Sequence, residues 1–201
     1  MDTARHALAL LVLLTYPPAV LLWLGIHPWA HRWRRVGPVA TYLVLGLPML
    51  GLVGWLYMSR GVLLGRDLGT SWPLMALAVV SLGVGGSIAR QRMKHLRFSI
   101  LSGVPELSRA AYPGQLLTEG IYARLRHPRY VEVTFWTLGY ALAANHTGVY
   151  LLWLLSLPVL HLVVLLEERE LRERFGASYE EYARRVPRYL PRPAARVSKQ
   201  D

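Results

Sequence analysis

The chain has 201 residues and a formal net charge of +11, yet 53% of it is hydrophobic and its seven Trp and eleven Tyr lie among long uncharged stretches. It has no Cys, which excludes disulfides, a thiolate nucleophile and thiolate metal sites. The positive charge sits at the edges of the apolar segments, as cationic flanks attracted to anionic lipid do, and this argues against a nucleic-acid partner.

Taken in order, residues 7–26, 39–58, 72–89, 131–144 and 149–166 contain one formal charge among them, Glu132. About 20 apolar residues span a bilayer core, so the first three are transmembrane helices by length and composition. The fourth is short and reaches spanning length only if it runs from Pro128 to His146. The reading is an all-α, polytopic membrane protein with five transmembrane helices. The apolar run at 7–26 is long for a signal peptide, and Tyr16-Pro17-Pro18 leads to Trp23 rather than to a small-residue cleavage site. It is therefore read as an uncleaved helix kinked at Pro17 and Pro18. Twenty of the 23 Lys and Arg fall in loop 27–38, segment 90–130 and the tail from 167; three fall on the other side. The positive-inside rule then puts the N-terminus outside and the C-terminus in the cytoplasm. Arg- and Leu-rich composition with short loops points to a bacterial inner membrane.

The first 89 residues read as a three-helix scaffold. Loop 27–38 has Trp29 and Trp33 beside Arg32, Arg34 and Arg35, an interfacial anchor. Gly83, Gly85 and Gly86 suggest close helix packing; no strand precedes them, so a phosphate loop fails its context test. Residues 90–191 form a second region. Met93, Leu96 and Ile100 at i, i+3, i+7, with basic residues between them, predict an amphipathic interfacial helix that Pro105 and Pro113-Gly114 break. Pro128 suits the first position of the fourth helix, which holds His127 in extended geometry at its mouth. Residues 145–148 form a tight turn, so the last two spans are an antiparallel hairpin. The last span runs on past Leu166, with Glu168/Arg172 and Glu170/Arg174 at i, i+4, and Gly176 stops it. Ser178 and Glu181 resemble a capping box opening a final short helix that carries Tyr179 and Tyr182. Pro187 and Pro191 end the ordered part, and 192–201 reads as a frayed tail.

The hairpin brings His127–Tyr130 and Glu167-Glu168 to the same face of the membrane. A helix N-terminus with Arg124, Arg126 and Arg129 suits a carboxylate, and the Glu pair suits a cation or a ribose. S-adenosylmethionine carries all three groups. Each residue also has a structural reading. The arginines contact headgroups, Glu167 begins a solvated helix, and His161 packs or lines a cavity. Glu132 reaches the interface or pairs with an Arg, and Tyr122 and Tyr130 belong to an aromatic belt.

The run Leu116-Leu-Thr-Glu-Gly-Ile-Tyr-Ala-Arg-Leu-Arg-His-Pro-Arg-Tyr130, then Glu167-Glu168, then Leu171, Phe175-Gly176, Tyr179, Tyr182, Val186-Pro-Arg188 and Pro191, resembles the isoprenylcysteine carboxyl methyltransferase and phospholipid methyltransferase superfamily. The match covers residues 113–191. The resemblance implies an integral-membrane methyltransferase that uses S-adenosylmethionine, with a cytoplasmic cofactor site formed by the loop before helix 4 and the extension after helix 5. Cofactor contacts would fall on Gly114, Gln115, Leu116, Leu117, Tyr122, His127, Pro128, Arg129, Tyr130 and Glu167. A lipophilic or small acceptor would enter laterally. The isoprenylcysteine enzymes place an Arg for the substrate carboxylate one turn before the equivalent of Glu167; here that residue is Val163. No catalytic base stands out. Two other classes share the features: an NADPH-dependent membrane reductase of the sterol reductase type, and a non-catalytic protein on the same scaffold.

Overall fold

The computed structural model describes residues 2–94 and 115–190. Helix α1 spans Asp2–Ile26 and continues through Pro17 and Pro18 as one α-helix. The chain then turns through a 3-10 segment, His27–Trp29, into α2, Ala30–Val36. The expected interfacial loop is thus helical, and Trp33 Nε1 donates to the Gly25 carbonyl at 2.9 Å to fold it back on α1. Gly37, at φ 90°, reverses the chain and Pro38 opens α3, Pro38–Met58. That pairing of a positive-φ glycine with proline at the first helical position uses each residue where its backbone fits. A single turn, α4 (Arg60–Leu63), precedes α5, Trp72–Met93. After the 3-10 turn Gly120–Ala123 come α6, Pro128–Ala144, α7, Thr147–Phe175, and α8, Ala177–Arg185. The amphipathic helix expected around Leu96 and Ile100 lies outside the described residues. So does the tail from Pro191.

Among the described residues, four helical segments are long and apolar enough to cross a membrane: Asp2–Trp29, Pro38–Met58, Trp72–Met93 and Thr147–Phe175. Helix α6 is 17 residues. At a rise of about 1.5 Å per residue it is roughly 25 Å long, short of a ~30 Å hydrocarbon core. Extension to His146 does not occur, because Asn145 adopts the left-handed conformation (φ 52°) and ends the helix. Outward faces of the long helices carry exposed Leu43, Leu47, Val79, Val80, Leu151 and Leu155, apolar surface that lipid would cover.

Small residues set the close contact of α5 with α6. Gly85 sits against Trp136 and Gly139 against Leu82, so that a Cβ at either would collide. Ser81 Oγ donates to the Phe135 carbonyl at 2.7 Å across the same seam. Of the three glycines assigned to packing, only Gly85 has this role; Gly83 and Gly86 face open space. Gly176 ends α7 as expected, at φ 52°. Ser178 does not cap: α8 starts at Ala177, after Gly176, with no side-chain cap bond. The glycine turn already redirects the chain, which leaves Ser178 inside the helix.

Helix ends gather at two levels. At one, Arg5 donates to the Gly69 and Ala144 carbonyls and pairs with Asp2 and Asp67. Asn145 Nδ2 joins it on Gly69 at 2.8 Å, and Asp67 bridges to His146. At the other, Arg34 meets Glu170 at 3.0 Å and Arg92 meets Glu132. Around them lie the segments before α6 and after α7.

Candidate functional site

The site end is assembled by backbone first. The amide N–H groups of Arg126 and His127 donate to the carbonyls of Pro187 and Arg188, at 2.8 and 3.1 Å. This ties the mouth of α6 to the segment beyond α8. Tyr182 Oη donates to the Tyr122 carbonyl at 2.7 Å. Leu116 packs with Leu171 and Phe175 against the buried cluster of Tyr179, Tyr182 and Val186. The aromatic residues of α8 therefore clamp the loop that leads to α6.

His127 stands at the N-cap of α6 but makes no capping bond with its side chain. Its buried ring instead lies between two carboxylates, Nε2 3.1 Å from Glu168 Oε1 and Nδ1 3.5 Å from Glu167 Oε2. Burial by itself would lower its pKa; hydrogen bonds and charge from Glu167 and Glu168 outweigh that and raise it above the ordinary histidine value. The ring is therefore held toward the imidazolium form, with a donor aimed at each carboxylate.

The two glutamates differ sharply. Glu168 is fully buried and meets four cations. Arg188 grips it with Nε at 2.9 Å and Nη2 at 2.8 Å; Arg126 lies at 3.2 Å, Arg172 at 3.4 Å, and His127 completes the set. The paired arginine contact is the strong, planar kind. Glu167 keeps 31% of its side chain exposed, and its enclosed Oε2 has His127 Nδ1 at the longer distance of 3.5 Å. Two enclosed atoms nearby lack a hydrogen-bond partner among the described residues, Arg126 Nε and Tyr179 Oη. Burial pushes the Tyr179 phenol up to about 12, so at neutral pH it keeps its proton.

The other expected contacts fall around this core. Tyr130 lies edge-on to His127 with ring centroids 5.8 Å apart, and Arg129 stacks over Trp23 at 4.6 Å. Pro128 is buried as the first residue of α6. Tyr122 is raised well above the ordinary phenol range, first by burial, and the charges of Arg92, Glu167, Arg129 and Glu132 also act on it. Gln115 is exposed, Leu116 and Leu117 are half-buried, and Gly114 lies outside the described residues. His161 is exposed, with Nδ1 2.7 Å from Tyr189 Oη and its ring 5.9 Å from the Tyr189 ring. Val163 is fully buried.

Sequence reasoning missed Glu168 as the hub, and Arg188 as its main partner. The i, i+4 spacing to Arg172 gave one contact of Glu168. Nothing in the spacing announces that Arg188, twenty residues on, folds back to it. Among the described residues no group of His, Asp or Glu is arranged to hold a metal.

The arrangement fits a ligand that brings both charge signs. Glu167, part-exposed and met by His127 only at 3.5 Å, can accept from a hydroxyl or ammonium, and the unmatched Arg126 Nε can donate to an oxyanion. S-adenosylmethionine has these groups. A family model described as phospholipid methyltransferase matches residues 74–178, from α5 into α8. Over 77 residues the chain is 39% identical to a protein-S-isoprenylcysteine O-methyltransferase of the fission yeast Schizosaccharomyces pombe; this covers 38% of the chain and 33% of the yeast protein. The chain thus spans about a third of the length of that curated relative.

Proposed function

From the premise that the chain belongs to the phospholipid methyltransferase family, we propose that it moves a methyl group from S-adenosylmethionine to a lipid-like or small acceptor at the cytoplasmic face of a membrane. The observation that carries this reading is the division between the two glutamates. Glu168 is held by four cations, whereas Glu167, one residue earlier, keeps 31% of its side chain exposed and has His127 Nδ1 only at the longer distance of 3.5 Å.

When bound, S-adenosylmethionine supplies an electrophilic methyl on a sulfonium. In-line transfer needs little covalent help from the protein; it needs orientation and exclusion of water. Glu167 accepts hydrogen bonds from the cofactor's polar groups. His127, clamped between the carboxylates, fixes the rotamer of Glu167. Arg126 offers an unmatched Nε to an oxyanion. Tyr122 and Tyr130 wall the pocket. Gln115, Leu116 and Leu117 supply backbone contacts. A carboxylate or thiolate acceptor needs no base, whereas an amine must lose a proton.

The same reading takes α6 as a fifth crossing. Its two ends reach the same two levels as α5 and α7: Asn145 meets Gly69 at one, and Glu132 meets Arg92 at the other. A 17-residue helix is accommodated by local bilayer thinning, at fractions of a kcal/mol per Å. The N-terminus is then outside and the C-terminus cytoplasmic, in a bacterial inner membrane. Because the chain has no Cys, the topology is testable directly. Gln115→Cys and Glu181→Cys, both exposed, should react with a membrane-impermeant maleimide from the same side of sealed vesicles, because α6 and α7 both cross between them. Reaction of the two from opposite sides breaks the five-span arrangement.

The activity is tested by incubating membranes that contain the protein with S-adenosylmethionine labelled on the methyl. Label should enter the lipid extract or a small acceptor, and His127→Ala should abolish it. No incorporation by folded wild-type protein, together with oxidation of NADPH, would replace the methyltransferase with a reductase.

A further inference from the structure

Arg92, near the end of α5, and Glu132, one turn into α6, form an ion pair whose side chains are only 7% and 3% exposed. Nε meets Oε2 at 2.7 Å and Nη2 meets Oε1 at 3.1 Å, a two-pronged contact. Burying both charges costs several kcal/mol per ion, and their attraction does not reliably return it. The pair is not needed to join α5 to α6, because Gly85–Trp136, Gly139–Leu82 and Ser81–Phe135 already do so. Ionisable groups at this depth mark function more often than stability.

The guanidinium is also incompletely used. Its Nη1 is enclosed and has no hydrogen-bond partner among the described residues. Such a donor is costly unless something in the working state fills it. Glu132 lies four residues past Pro128, at ~1.5 Å per residue about 6 Å inside the helix mouth. That is headgroup depth, and the neighbourhood is shared with Tyr122, on which Arg92, Glu132 and Glu167 all act.

We propose that Nη1 of Arg92 is the docking point for an oxyanion on the methyl acceptor, a phosphate or carboxylate at the polar end of a lipid-like molecule. The proposal rests on the methyltransferase reading and deepens it by naming the residue that selects the acceptor's polar end. Glu132 cancels the charge of Arg92 and fixes its plane, so the remaining N–H selects by geometry rather than by net attraction. The cofactor's own carboxylate has Arg126 on the α7–α8 side. Arg92 belongs instead to the α5–α6 seam, next to Met93, an exposed apolar residue of α5.

The test uses full-length protein in neutral-lipid nanodiscs, as wild type, Arg92→Lys and the double variant Arg92→Met, Glu132→Leu. Net charge stays at +11 in all three, so non-specific attraction to anions is constant. Replacing a buried ion pair with apolar residues of similar volume usually preserves the fold; if the double variant does not fold, the Lys variant, which keeps a cation for Glu132, decides. Native mass spectrometry with lysophosphatidic acid, a fatty acid and monoacylglycerol reads the oxyanion preference, and calorimetry with S-adenosylhomocysteine reads the cofactor pocket. Wild type should prefer the two anionic lipids over the neutral one by about tenfold or more. The variants should lose that preference and keep their affinity for S-adenosylhomocysteine. Wild type without a preference, or a folded variant that retains it, would overturn the proposal. So would loss of S-adenosylhomocysteine with the lipid preference intact, since the oxyanion would then be the cofactor's. Wild type that fails to bind S-adenosylhomocysteine would sink the methyltransferase reading itself, a result separate from the lipid arm.

Discussion

The two polar ends of the helix bundle solve the same problem in opposite ways. At the α6–α7 turn one buried cation, Arg5, faces two carboxylates, Asp2 and Asp67, and two backbone carbonyls. At the other end one buried carboxylate, Glu168, faces Arg126, Arg172, Arg188 and His127. The first holds an α1 residue to loop 64–71 and to the end of α6, and only Nε of its guanidinium goes unmatched. The second has, near it, enclosed polar atoms with no hydrogen-bond partner among the described residues, on Arg126 and Tyr179, and a Glu167 oxygen that His127 meets only at 3.5 Å. A lock uses its polar groups on the protein itself; a binding site leaves some for something else.

That contrast can be broken by mutation. The largest effect should come from Glu168→Ala, which strands three arginines and an imidazolium together. Removing one partner of a buried ion pair typically costs about 3–5 kcal/mol, so both thermal stability in detergent and cofactor binding should collapse. A stable variant that still binds would show that Glu168 is not the hub. Arg5→Ala should come next, lowering the melting temperature while leaving S-adenosylmethionine affinity unchanged. A matching loss of affinity would mean the two ends are coupled and the lock reading is wrong. The smallest effect sharpens the account of His127. Its pKa is raised on folding, so its contribution to stability is complete below the unfolded value of 6.5 and fades as pH rises through the folded value. The melting-temperature gap between wild type and His127→Gln should therefore narrow from mildly acidic to alkaline pH. A constant gap would mean that the imidazole sits neutral between the carboxylates.

Much of this was legible in the sequence, and the reasons are local. Charge-free runs define the long helices. Pro128 and the turn at 145–148 define the hairpin, and Gly176 stops α7 because it can take a positive φ. What the sequence did not reveal depends on side chains meeting across distance. Glu167 and Glu168 are identical neighbours in a string; only the return of Arg188 makes one a scaffold residue and leaves the other available. The same holds for Arg92, which meets Glu132 forty residues away. Loop 27–38 looked like an anchoring loop because Trp and Arg are what an interface selects, and α2 folds there with the same residues. Whether α6 reaches His146 was not legible, because hydropathy does not register the left-handed Asn145 that ends it.

The central claim is that Glu168 builds the site and Glu167 serves the ligand. Calorimetric titration of S-adenosylmethionine into detergent-purified wild type and Glu167→Ala, with a melting curve for each, tests it most directly. The account predicts saturable binding by wild type, its loss in Glu167→Ala and near-equal melting temperatures. Equal affinity in the two proteins, or no binding by folded wild type, would contradict it.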